Sequence, residues 1–201
     1  SGTTDTLQQS VFERAADALA VVLASANPAA SVSELRAESM SLLGCIGEMN
    51  FKSCPHVLIV GDGPELSNLR KLAKDLDVES AVTFAGRVPH ENILDYYSVI
   101  DLFVVPRKPS DVTNLVTPLK PFEAMATGRP CVFSNVRALA EIATQSEAVS
   151  TFEAGDATDL SLKIGKLLGD PSVMADMAKN GADWVRRERS WDINALRYHT
   201  V

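Results

Sequence analysis

Arg107, Lys120 and Glu123 are the residues of this chain whose types and spacing best support chemistry. A polar loop follows Arg107 and runs into KPFEAMA (residues 120–126), which reads as a helix with Lys120 in its first turn and Glu123 one turn further in. N–H groups at a helix start lack partners inside the helix and, with the helix dipole, favour an anion. A cation in that first turn opposes the dipole and costs a few tenths of a kcal/mol, up to about 1; a bound anion offsets that cost. A carboxylate one turn on can accept hydrogen bonds from two neighbouring sugar hydroxyls. Arg107, just past the apolar run that ends at Pro106, is a second cation for the same crevice. The plainer alternative is a solvated Arg and Lys, with Glu123 in an ordinary surface ion pair.

Two glycine-bearing turns accompany them. Gly61-Asp62-Gly63 follows an apolar run, and two glycines let the backbone turn and approach a ligand closely. A dinucleotide fingerprint needs a third glycine where Leu66 stands, and a ribose-binding acid where Ala85 and Gly86 stand. Both are missing, which argues against an NAD-linked oxidoreductase and leaves a simple strand-to-helix turn as the competing reading. Gly86-Arg87-Val88-Pro89 ends the next apolar run; Arg87 can reach a phosphate or stay in solvent.

These residues need a scaffold, and the pattern supplies one. Short apolar runs at residues 56–60, 81–85, 101–105, 130–134 and 148–152 read as strands. Between them, helices are expected from Pro64 through Leu76, from His90 to Val99, from Pro118 to Ala126 ending at Gly128, and from Val136 to Ala143. The loop between 106 and 116 reads as polar coil. Solid apolar runs, rather than in–out alternation, mark strands covered on both faces. The expected fold class is therefore α/β, an open parallel sheet with helices on both faces. In such sheets ligands bind beyond the carboxyl ends of the strands, where the turns at 61–63, 86–88 and 106–120 should converge. Residues 56–201 are expected to form this domain, closed by helices from Ala157 onward and broken at Asp170-Pro171. Residues 1–55 are less clear: 7–19 and 32–49 have helical periodicity, and 20–24 suits a strand, so the segment reads as a degenerate first βα unit.

Composition sets the limits. The chain has 201 residues, of which 46% are hydrophobic and 22% charged, enough for a sizeable core without staples. A net charge of −7 excludes a broadly basic nucleic-acid surface, so any anion site must be built locally. Cys45, Cys54 and Cys131 are odd in number and include no CxxC pair, which fits free thiols in a reducing compartment. His56, His90 and His199 share no ligand spacing with them, and no metal site is expected. No signal peptide or membrane-length apolar run is seen, and a cytoplasmic location is expected.

Four runs together, HVLIVGDGPE (56–65), VTFAGRVP (82–89), DLFVVP (101–106) and FEAMATGRPCV (122–132), resemble the C-terminal, donor-binding domain of family 4 retaining glycosyltransferases of the GT-B fold. The resemblance covers about residues 56–185, with the four motifs in the family's order and spacing. It implies a Rossmann-like domain that is one half of a GT-B enzyme and binds a nucleotide-diphosphate sugar such as a UDP- or GDP-sugar, with no cofactor and no metal. By position, Glu123 matches the second glutamate of the family's E-x7-E motif, which holds the donor ribose. Val116, Thr117, Pro118 and Leu119 match backbone that touches the donor phosphates. Gly86, Arg87 and Val88 match the segment that contacts the base, and Gly61 and Gly63 the first turn of the cleft. The first glutamate of E-x7-E falls at Leu115, and the Arg and Lys that the family places after its first strand are absent from residues 25–29. Arg107 with residues 117–126 resembles a variant of the family, in which Arg107 and Lys120 would grip the pyrophosphate. The acceptor domain has no room in this chain, so the resemblance implies a hexosyltransferase half that binds donor without turnover alone. Trp191 and Tyr198 would then face that missing domain. A degenerate domain with a structural or regulatory role is the alternative that Leu115 motivates.

Overall fold

The computed structural model describes residues 18–21, 56–62, 66–190, 193 and 195. Six strands lie in them: β1 (Ala18–Val21), β2 (His56–Val60), β3 (Val82–Gly86), β4 (Leu102–Val105), β5 (Cys131–Ser134) and β6 (Val149–Phe152). They form one sheet in the order β3-β2-β1-β4-β5-β6, every pairing parallel. The helices are α1 (Leu66–Asp75), α2 (Ile93–Ser98), α3 (Asp111–Leu115), α4 (Lys120–Ala126), α5 (Arg137–Ser146), α6 (Ala157–Leu168) and α7 (Pro171–Glu188). The chain winds outward from the central β1–β4 pair in both directions, so the strand order reverses there. Parallel strands all end at the same edge, and the crevice at such a reversal is where open α/β sheets bind ligands.

β2, β4 and β5 are covered on both faces, as their unbroken apolar runs imply. Val57, Ile59, Leu102, Val104 and Val132 join Leu69 and Ala73 of α1 and Leu160, Ile164 and Leu167 of α6 in one core layer. Leu58, Val60, Phe103, Cys131 and Phe133 alternate to the other face, against Tyr97 of α2, Met125 of α4, Leu139 and Ile142 of α5, and Trp184 of α7. Phe103 and Phe133 are fully buried; truncating either to alanine would cost about 3–5 kcal/mol. Gly181 on α7 lies against Met125 and lets α7 approach α4 closely.

Local chemistry sets the helix ends. Asp156 and Asp170 cap α6 and α7 by accepting from the N–H groups of Asp159 and Val173, and Pro171 takes the first position of α7, where its missing N–H costs nothing. The break expected at Asp170-Pro171 is thus a cap. Gly128, at φ +71°, ends α4, with its N–H on the Met125 carbonyl and that of Arg129 on the Ala124 carbonyl.

Three expectations are corrected. The first strand, described over Ala18–Val21, starts before the expected 20, so Ala18 and Leu19 belong to it rather than to a helix ending at 19; residues 22–24 lie outside the described residues. Pairing decides this: Ala18 aligns with His56 and Leu19 with Leu102, a constraint absent from a uniformly apolar run. The polar loop after β4 contains a short helix, α3. The expected helix from 118 begins at Lys120. The helix expected at 32–49 lies outside the described residues, as do most of 7–19 and the residues 25–29; of the helix expected from Trp191 onward only Ile193 and Ala195 are described, and both are helical.

Candidate functional site

The carboxyl edge of the sheet has two walls. On one side, β2 ends at Gly61, at φ +138°, and β3 at Gly86, at φ +69°. The Gly61 N–H donates to the Gly86 carbonyl at 2.8 Å, which locks the two turns into one corner. A methyl group added at Gly86 would meet nothing within 4 Å: the glycine is required by its backbone angle, and the space beyond it is open. Arg87 is exposed and Val88 is half-buried against the α2 face of the core. Gly63 lies outside the described residues. The β1 strand separates this corner from β4.

The other wall is the segment from β4 to α4. Arg107 follows β4 and is not the solvated cation of the plainer reading: it is 7% exposed, and its guanidinium donates to the Val116 carbonyl at 3.1 Å. It therefore ties down the chain that leads into α4. Between them α3 is held by a capping box, in which the Thr113 N–H donates to the Ser110 hydroxyl and the Ser110 N–H to the Thr113 hydroxyl. The Thr113 hydroxyl donates in turn to the Lys108 carbonyl at 2.6 Å, and Asn114 accepts from the first N–H of α5. Ser110 and Thr113 are thus structural partners of the site that sequence reasoning missed, although a serine three residues before a threonine was a visible capping signal.

Lys120 opens α4 and Glu123 lies on its next turn. Burial lowers the Lys120 pKa from its usual value, the Glu123 carboxylate counteracts this, and the Arg107 guanidinium adds to the lowering. Lys120 is therefore in electrostatic reach of both the Glu123 carboxylate and the Arg107 guanidinium. The helix start contributes fewer donors than expected. Pro118 and Pro121 have no N–H, and those of Phe122 and Glu123 donate to the Leu119 carbonyl, which leaves those of Thr117, Leu119 and Lys120 for a ligand. Side-chain charge, more than the helix end, makes this wall suited to an anion.

Glu123 has a partner from another element. The Tyr97 hydroxyl on α2 donates to Glu123 Oε2 at 3.0 Å. Tyr97 is 2% exposed, its ring tilted against Phe103 of β4 at 5.8 Å. Burial, then the charge of Glu123 and its hydrogen bond, hold the phenol far above its usual pKa, so it stays protonated and donating. Sequence periodicity marks Tyr97 as inward-facing but gives no sign of this partner.

Beside Glu123 a groove of about 540 Å³ runs between α4, α5 and the end of α7, with Thr117, Leu119, Phe122, Ile142, Val185 and Arg189 along it. Phe122 and Trp184 stack at 6.2 Å, and the Arg189 guanidinium lies over both rings. Leu115 at the end of α3 is 74% exposed, and Val116 and Leu119 are also exposed at this mouth. Burial pushes the Cys131 thiol pKa up, and its Sγ donates to the Arg129 carbonyl, so it is no nucleophile. Among the described residues no group of three or more His, Cys, Asp or Glu is placed to hold a metal, and no helix is long and apolar enough to cross a membrane.

The chain is 27% identical over 145 residues to an N-acetyl-alpha-D-glucosaminyl L-malate synthase of Bacillus anthracis, covering 72% of this chain and 36% of that protein. It is 32% identical over 149 residues to a GDP-mannose-dependent monoacylated alpha-(1-6)-phosphatidylinositol monomannoside mannosyltransferase of Corynebacterium glutamicum, covering 72% of this chain and 38% of that protein. The chain thus spans well under half the length of these curated relatives. In fold it matches Anabaena Alr3699/HepE, solved with UDP-glucose, at a TM-score of 0.75 and 17% identity over 100% of this chain and 52% of that one. It likewise matches sucrose-phosphate synthase from Thermosynechococcus elongatus at 0.72 and 25% identity, over 92% of this chain and 45% of that one. The Rossmann-like fold is the one found in GT-B glycosyltransferases. With the model of the family matching residues 51–184, the chain belongs to the glycosyl transferases group 1.

Proposed function

We propose that this chain is the donor-binding, C-terminal domain of a family 4 retaining glycosyltransferase, and that its donor is a nucleotide-diphosphate sugar of the UDP or GDP type. The observation that carries the reading is the Arg107–Lys120 pair of cations beside Glu123 at the carboxyl edge of the sheet. Burial disfavours the Lys120 charge more than the Glu123 carboxylate restores it, and the Arg107 guanidinium adds to that cost; a diphosphate offers oxygens to both cations. In this reading Glu123 accepts from the ribose hydroxyls, and the backbone of Val116, Thr117, Pro118 and Leu119 lines the phosphates. Gly61 and Gly63 keep the first turn clear, and Gly86, Arg87 and Val88 meet the base. The names of the Corynebacterium mannosyltransferase and the HepE complex support a nucleotide-sugar donor.

In the whole enzyme the bond between the anomeric carbon and the diphosphate oxygen breaks and its electrons leave with the diphosphate; the acceptor hydroxyl oxygen forms the new bond with retention, and its proton passes to the departing diphosphate oxygen. Negative charge grows on the departing diphosphate, where Lys120 and Arg107 stabilise it most in the transition state. The acceptor comes from a second domain, so the chain alone binds donor and does not turn over. The setting we assign is cytoplasmic polysaccharide biosynthesis by a hexosyltransferase. One observation favours a second reading, a degenerate domain with a structural or regulatory role: an exposed leucine, Leu115, stands where the family's pattern has its sugar-associated glutamate.

The test is Lys120→Ala combined with Arg107→Ala, with folding checked by thermal melting. Loss of nucleoside-diphosphate binding in a cooperatively melting variant is the expected result. Unchanged affinity would sink the donor reading.

A further inference from the structure

We propose that Tyr97 is a positioning residue for the donor ribose, acting through the hydrogen bond from its buried hydroxyl to Glu123 Oε2. The inference rests on the reading of Glu123 as the ribose ligand and adds to it a residue that never touches the donor.

A glutamate side chain has three rotatable bonds, and a carboxylate that must accept two vicinal hydroxyls has to be held in one plane. On α4 itself Pro121, Ala124 and Met125 face the core, and Lys120 acts on the carboxylate through its charge; the orienting hydrogen bond comes from elsewhere. The anchor comes from α2, 26 residues earlier in the chain, at 3.0 Å. It is rigid because the Tyr97 ring is 2% exposed and braced on Phe103 of β4. A phenol is a suitable anchor because it donates one proton only, taking one lone pair of Oε2 and leaving the other, with Oε1, for the two hydroxyls of the ligand. The phenol keeps that proton at any working pH, because burial and the neighbouring carboxylate both oppose its ionisation. Hydrogen-bond partners that orient metal-ligating side chains typically matter by about tenfold or more when removed, and the same order is expected for this carboxylate.

Tyr97→Phe keeps the ring and deletes only the donor. Calorimetric titration of the parent chain, Tyr97→Phe, Glu123→Ala and the double variant would use three probes: UDP or GDP, the corresponding 2′,3′-dideoxynucleoside diphosphate, and pyrophosphate. The expected result is a loss of about tenfold for the nucleoside diphosphate in Tyr97→Phe, with the dideoxy analogue and pyrophosphate within twofold of the parent, and no further loss when Tyr97→Phe is added to Glu123→Ala. Parent-like affinity of Tyr97→Phe for all three probes overturns the proposal, and an equal loss for all three does so too, because it marks general loosening of the site. A parent chain that binds the nucleoside diphosphate no better than its dideoxy analogue removes the ribose role of Glu123 and the role of Tyr97 with it, while pyrophosphate binding still upholds the diphosphate site. Binding of none of the probes overturns both readings.

Discussion

Lys120→Met should make the unliganded protein more stable and the liganded site much worse. Methionine retains the apolar stem of lysine, which is half-buried on the first turn of α4, and removes only the charge. That charge is unfavourable in three ways: it sits at the positive end of a helix, it is partly desolvated, and it lies near the Arg107 guanidinium. The first contribution is a few tenths to about 1 kcal/mol. The attraction of Glu123 offsets part of the other two, so a net gain of about 0.5–1.5 kcal/mol is expected. For a domain of this size that corresponds to roughly 1–6 °C in melting temperature. A charge-assisted hydrogen bond to a diphosphate contributes about 1.5–3 kcal/mol, so affinity should fall by about 10- to 150-fold. Differential scanning calorimetry reads the first quantity and titration with UDP or GDP the second. The pH dependence has a definite sign: only the ammonium form binds the anion, so parent affinity should decline as pH rises through the lowered Lys120 pKa, and the methionine variant should lack that decline. A lower melting temperature together with parent-like affinity would refute the reasoning at both points.

Further outcomes follow from the same geometry. Glu147, exposed at the end of α5, holds φ +51° in the left-handed region, so Glu147→Gly should stabilise the fold by roughly 0.5–1 kcal/mol, read by thermal melting. Gly86→Ala should cost about 1–2 kcal/mol from its φ of +69° alone, since the added methyl meets nothing; it should also weaken nucleotide binding, because that methyl points into the open edge. The Tyr97 phenol has its pKa raised above the ordinary 10.0, so the unfolded chain releases this proton before the folded one. Its contribution to stability is complete below about pH 10 and is lost above it at about 1.4 kcal/mol per pH unit. Urea unfolding from pH 9 to 11.5 should show that extra slope in the parent and not in Tyr97→Phe.

The layered fold was legible because burial on both faces leaves a direct mark: β2 and β4 are apolar at consecutive positions, and the structure sends Val57 and Leu58, or Phe103 and Val104, to opposite core layers. What escaped has a physical reason in each case. The run from Ala18 to Ala24 is apolar throughout, so only pairing with His56 and Leu102 fixes which part is strand. The α3 helix is five residues long, too short for periodicity, and only its cap could have betrayed it. Arg107 was readable as a cation near the edge but not as a buried clamp on Val116, because that depends on how the following loop folds back. Arg189 over Phe122 and Trp184 is a meeting of α4 with the end of α7, which no local pattern records. At the site itself, residue type and spacing brought Lys120 and Glu123 forward; the partner of Glu123, 26 residues away on another helix, needed the structure.

The central claim is that the carboxyl edge of this sheet binds the diphosphate of a nucleotide donor. Calorimetric titration of the chain with UDP, GDP and ADP, with NADH as control, tests it most directly. Binding of one nucleoside diphosphate in the micromolar to millimolar range, strongly weakened in Glu123→Ala and absent for NADH, is the predicted result. No heat with any of the diphosphates, from a protein that melts cooperatively, would contradict the claim and favour a structural or regulatory domain.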